Sequence, residues 1–197
     1  MNVKEAICTR RSTRKYLDKP IEKELLEELI EAGRMAPSGG NSQSAHIFVI
    51  EDKKVLEEIR VMVEEAFAAM ELKEGMYPSL ANSIYQSKKG NYRFFYDAPV
   101  LIVIANKKDY GNNIADTACI LENMMILGNE KDLGTCWINQ LRWLNEDEAL
   151  LKIFRDLGLE EDERIYGALA VGYPDTEDGK PVRTPLPRKG NKVEWIG

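Results

Sequence analysis

Residues 99–105 read Pro-Val-Leu-Ile-Val-Ile-Ala, a run without a polar side chain. A strand that is apolar on both faces must be covered on both, so the sheet containing it needs a layer of structure on each side. Two long amphipathic patterns offer such layers. Ile21, Leu25 and Leu29 repeat at i, i+4, with Leu26, Ile30 and Gly33 beside them. Val55, Leu56, Ile59, Met62, Val63, Ala66, Phe67 and Met70 mark a second helix of the same kind. Residues 112–131 are apolar nearly all round, which predicts a helix in the middle of the molecule.

Shorter signals fill the rest. Asn2 with Glu5 starts an N-terminal helix, and Asn145 with Glu148 caps another that runs to Gly158. His46–Ile50, Gly134–Leu141 and Ile165–Val171 read as further strands. Residues 71–97 are the least regular stretch, with Gly75, Pro78, Gly90 and four tyrosines. After Gly172-Tyr173-Pro174 the chain turns polar and proline-rich. It closes with Lys192–Ile196, where Val193 and Trp195 alternate with polar neighbours like a strand that lacks a partner. About five strands and five or six helices interleave without repeats or linkers, giving one α/β or α+β domain.

Charge narrows the function. With 27 Lys+Arg against 33 Asp+Glu, the net charge of −6 argues against nonspecific binding to nucleic acid or an anionic membrane. No apolar run approaches the ~20 residues of a membrane span. The N-terminus also lacks a secretory apolar core. Three scattered cysteines, Cys8, Cys119 and Cys136, make no disulfide framework or metal cage, so a reducing cytoplasm is expected. His46 is the single histidine, which excludes multi-histidine metal sites and mechanisms that need a histidine pair.

Three segments could carry chemistry. Arg10-Arg11-Ser12-Thr13-Arg14-Lys15 puts four cations and two hydroxyls into six residues, a set suited to phosphate oxygens, and Arg188-Lys189 adds a second basic spot. Taken alone, such short strings more often read as solvated charge clusters. Pro37-Ser38-Gly39-Gly40-Asn41-Ser42-Gln43 is glycine-rich, but it follows a helix and has no Gly-Lys-Ser/Thr, so it is no Walker loop. In Gly134-Thr135-Cys136-Trp137-Ile138-Asn139 the cysteine has no activating histidine nearby. The inventory holds anion-gripping parts without an acid, base or nucleophile, as suits a protein that positions a reactive cofactor.

These segments occur in a telling order: Arg10–Arg14, Pro37–Gln43, Asn91 six residues before Asp97-Ala98-Pro99, Gly134–Ile138, Gly172-Tyr173-Pro174 and Pro187-Arg188-Lys189. From about residue 4 to 195 the chain resembles the FMN-dependent nitroreductase family. The resemblance implies a three-layer α+β fold, with a central mixed or antiparallel sheet flanked by helices. Residues 1–174 would form the FMN-binding domain, and 175–197 an extension that wraps a second subunit and lends it a strand. The protein would be a homodimer with FMN at the interface.

On these residues the resemblance places Arg10, Arg11 and Ser12 at the FMN phosphate and ribityl end, with Arg188 and Lys189 closing over it. Arg14 and Asn91 would face the pyrimidine edge. Pro37, Ser38, Gly39 and Asn41 would pack on the ring from the other subunit, and backbone groups of Trp137, Ile138 and Asn139 would address flavin N5 and O4. Tyr85, Tyr92 and Phe94 would be stacking partners for substrate, or else plain interface core. Phe94 stands where some relatives carry lysine, and Gln140 where glycine is common. The implied activity is ping-pong hydride transfer from NAD(P)H through FMN to a nitroaromatic or quinone, with no metal. Alternatives are a reductive dehalogenase, a flavin-destroying enzyme of cobamide biosynthesis, a non-catalytic FMN sensor, or an acidic interaction module without cofactor.

Overall fold

A computed structural model describes residues 1–197. Four strands form one antiparallel sheet: β1 (His46–Ile50), β2 (Val100–Lys107), β3 (Gly134–Ile138) and β4 (Glu163–Gly172), in the order β1-β2-β4-β3. Residues Val100 to Asn106 of β2 are all buried, and their side chains alternate between two cores. Leu101, Val103 and Ala105 join Phe48, Phe67, Phe94 and Phe154 on one face; Val100, Ile102 and Ile104 join Leu29, Leu121 and Met124 on the other. The apolar run is thus met by helices on both sides, in a sheet that is antiparallel throughout.

The helices are α1 (Val3–Thr9), α2 (Lys23–Arg34), α3 (Lys53–Ala69), α4 (Pro78–Lys89), α5 (Asn113–Glu130), α6 (Gln140–Trp143) and α7 (Glu148–Asp156). Helices α2 and α5 back one face, and α3, α4 and α7 the other. Asn2 caps α1 as expected, accepting from the Glu5 N–H at 2.9 Å. None of the helices is long and apolar enough to cross a membrane.

Three expectations need correction. The stretch 71–97 holds a full helix, α4, with Pro78 in its first turn, where a missing N–H costs nothing. Strand β3 stops at Ile138, and the next residues coil into α6. Asp147, not Asn145, caps α7, its carboxylate accepting from Ala149 and Leu150 N–H at 2.9 and 3.1 Å. Residues 192–196 form no strand within the single chain; Trp195 is 92% and Ile196 95% exposed.

The sheet gains a short fifth edge instead from the basic segment. Ser12 bridges Thr135 in parallel, the Thr13 N–H donates to the Thr135 carbonyl at 2.9 Å, and Tyr16 bridges Pro174. This approach needs Gly134: a Cβ there would sit 2.8 Å from Thr13 Cβ. We expect Gly134→Ala to push the segment off β3 and cost about 1–3 kcal/mol. Urea unfolding measures this; an unchanged midpoint would mean the segment is not held by that contact.

Candidate functional site

Docking the Arg10–Lys15 segment along β3 puts its cations beside the strand's outer edge. Because Thr135 turns its carbonyl to Thr13, the period-two alternation of the strand turns the backbone N–H and C=O of Trp137 the same way, away from β4. They face a cleft of about 710 Å³, within the range of small-molecule and cofactor sites (about 300–1,000 Å³). Arg14, Asn91, Tyr92, Trp137, Ile138 and Asn139 all line it. Sequence positions spread over more than a hundred residues therefore meet at one place.

Arg14 Nε donates to Tyr96 Oη at 3.3 Å, and its guanidinium stands 5.8 Å from that ring's centre. Cys136 lies beneath. Burial pushes its thiol above the ordinary range, while Arg14, a hydrogen bond with Ser12 and Arg10 pull the other way. A protonated thiol at neutral pH is a poor nucleophile, in keeping with the missing histidine. The cleft lining contains no carboxylate, histidine or lysine.

The remaining candidates lie elsewhere. Arg10 pairs with Glu122 at 3.7 Å, and Arg11 Nε donates to the Thr184 carbonyl at 2.9 Å, so the C-terminal segment runs past this face. Arg188 and Lys189 are exposed further along it, without a hydrogen bond or ion pair to the Arg10–Arg14 segment. Tyr85 points to solvent from α4, with Lys89 Nζ 4.1 Å from its ring centre, and does not line the cleft. Phe94, expected as a stacking partner, is 1% exposed and packs on Phe95 in the core. It is removed from the site because its side chain completes the α4 face of the sheet.

The Pro37–Asn41 loop forms a second, separate feature. Pro37 and Ser38 line a small cavity of about 110 Å³ that shares no residue with the cleft. Gly39–Asn41 make a single 3-10 turn, and Gly40, Asn41 and Gln43 have φ of 59°, 55° and 48°, a costly run of left-handed backbone. A buried clamp holds it. Asp116 of α5 accepts from the Gly39 N–H at 3.2 Å, and the Tyr110 hydroxyl lies 2.9 Å from both the Asp116 carboxylate and the Gly39 carbonyl. Neither clamp residue stood out in the sequence, since a lone Asp and a lone Tyr carry no local pattern. Pro78, Ser79, Asn82, Gln86 and Trp143, which also line the cleft, were missed because α4 and α6 were, and Gln140, noted only as a departure from glycine, lines it with them.

A sequence model of the nitroreductase family matches residues 7–173. The chain belongs to the nitroreductase family. Among solved structures, a nitroreductase with bound FMN from Bacteroides fragilis NCTC 9343 is similar to it at 28% identity, with a TM-score of 0.87 and 100% of each chain covered. Among curated proteins, the nitrobenzene nitroreductase of Ectopseudomonas oleovorans is 23% identical over 88% of this chain and 87% of its own. The 4-nitrobenzoate reductase of Pseudomonas putida is 25% identical over 86% and 84%. The three-layer fold expected for a nitroreductase is the one observed.

Proposed function

We propose that this nitroreductase-family protein works as a homodimer, passing hydride from NAD(P)H to an electron-poor nitroaromatic or quinone in a ping-pong cycle. The protein is an NAD(P)H-dependent flavin oxidoreductase of the nitroreductase type, with FMN as its cofactor. One observation carries the reading: the cleft joins cations, amides and the backbone edge at Trp137 that β4 does not pair, yet offers no acid or base of its own. That donor set fits FMN, which needs anion-binding groups at its phosphate and hydrogen-bond partners along its ring edge. Bound there, FMN supplies the two-electron carrier that side chains lack.

The chain's own residues bind and tune. Arg10, Arg11 and Ser12 hold the phosphate, and Arg188 and Lys189 close over it. Arg14 and Asn91 stand at the pyrimidine edge, where a fixed cation stabilises developing negative charge. The backbone of Trp137, Ile138 and Asn139 orients the ring's reactive edge. Pro37, Ser38, Gly39 and Asn41, held by Asp116 and Tyr110, serve the partner's cleft. The absence of any residue common to that loop's cavity and the cleft supports this division between subunits. The domain then ends at residue 174, and 175–197 reach across to the second subunit.

The test is direct. Pure protein should show flavin absorbance and oxidise NAD(P)H when given a nitroaromatic. Protein that neither carries nor takes up FMN would overturn the proposal.

A further inference from the structure

Once Arg14, Asn91 and the Trp137–Asn139 backbone are given to the flavin, the part of the cleft left for substrate is the wall made by α4. Its polar lining residues are Ser79, Asn82 and Gln86, and Gln140 and Tyr92 line the cleft with them. Gln86 Nε2 approaches Asn82 Oδ1 at 3.5 Å. Asn82 Nδ2 and Gln86 Oε1 make no hydrogen bond within the chain, so an amide donor and an amide acceptor one helical turn apart stay unpaired on two residues that line the cleft.

The wall is braced. Ser83, next to Asn82, is fully buried, its hydroxyl 3.0 Å from Tyr92 Oη. Gln140 Nε2 donates to Tyr92 Oη at 2.8 Å and to Ser83 Oγ at 3.2 Å. Gln140 thus ties α4 to the end of β3, and the position that breaks the family's glycine habit acquires a use. The brace fixes the helix backbone that carries Asn82 and Gln86 before a ligand arrives, which reduces the entropy lost on binding.

We propose that Asn82 and Gln86 form a carboxamide subsite. A carboxamide carries one acceptor and two donors on a planar group, the complement of a free Asn N–H and a free Gln carbonyl. Two molecules could present it: the nicotinamide of NAD(P)H, and an aromatic acceptor bearing an amide. Both would use the same place in turn. The proposal rests on the flavin reading above.

The test compares wild-type holoenzyme with the double variant Asn82→Leu, Gln86→Met, which keeps volume and removes both polar groups. For the acceptor, the ratio of kcat/KM for 4-nitrobenzamide to that for nitrobenzene should fall about tenfold in the variant. For the donor, binding of free nicotinamide, read from perturbation of the flavin spectrum, should weaken by a similar factor while 3-methylpyridine binding holds. A selective loss in either arm supports the subsite and identifies its source; both arms unchanged would overturn it. The single variant Gln86→Met, on a half-buried position, should show a smaller loss of the same kind. Wild-type protein that takes up no FMN would instead sink the flavin reading itself, a failure visible before any variant is made.

Discussion

Replacing Arg10 and Arg11 together by alanine is expected to weaken FMN binding about 100- to 10,000-fold, since each charge-assisted hydrogen bond is worth about 1.5–3 kcal/mol and every 1.4 kcal/mol is tenfold. The fold should survive. Both side chains are only partly buried, and their contacts within the chain are one ion pair to Glu122 at 3.7 Å and bonds to backbone carbonyls. Flavin fluorescence titration measures the loss. Riboflavin, which lacks the phosphate, is the control: the variant should bind it as the wild type does. Raising salt should weaken FMN binding to the wild type more than to the variant, because the screened charges are those removed. An unchanged FMN affinity would take the phosphate away from these residues.

Removing residues 185–197 is expected to convert the proposed homodimer to a monomer and to strip it of FMN. Leu186, Val193, Trp195 and Ile196 are between 65% and 95% exposed on the single chain. Burying four such side chains on a partner is worth about 6–12 kcal/mol before the cost of ordering the segment. The cut leaves Arg183 in place, with its hydrogen bond to Asn129 Oδ1 at 3.2 Å and its ion pair to Asp132 at 2.7 Å, so the rest of the chain keeps its anchor. Sedimentation and flavin absorbance read the two effects. A truncated protein that stays dimeric and yellow would end the idea of an exchanged C-terminal strand.

How much of this was legible beforehand varied with the kind of signal. Strand β1 was read to the residue, because β-branched and aromatic side chains between polar neighbours mark a strand locally. Helix α4 was missed for an equally local reason. Two of its three buried residues, Ser83 and Ser87, are serines, so its inward face carries almost no hydrophobic period, and Pro78 read as a breaker. With α4 went the part of the cleft wall made by Pro78, Ser79, Asn82 and Gln86. The same blindness hid Asp116 and Tyr110, whose roles depend on a loop about 70 residues away. Phe94 had two readings, substrate stacking or core, because an aromatic beside candidate ligand residues suits either, and packing places it in the core.

By itself, then, the sequence determined the layered architecture and the family. A strand apolar on both faces dictates helices on both sides, and ordered short motifs survive in sequence because each needs particular residue types. Only the tertiary structure decided where the strand's two faces lead, that the four strands pair antiparallel, and which of the motifs meet. Arg14, Asn91 and Trp137 share a cleft because the basic segment docks on the outer edge of β3. The Pro37–Asn41 loop is held apart from it by a buried carboxylate. Contacts of that kind join residues far apart in the chain, and no local periodicity records them.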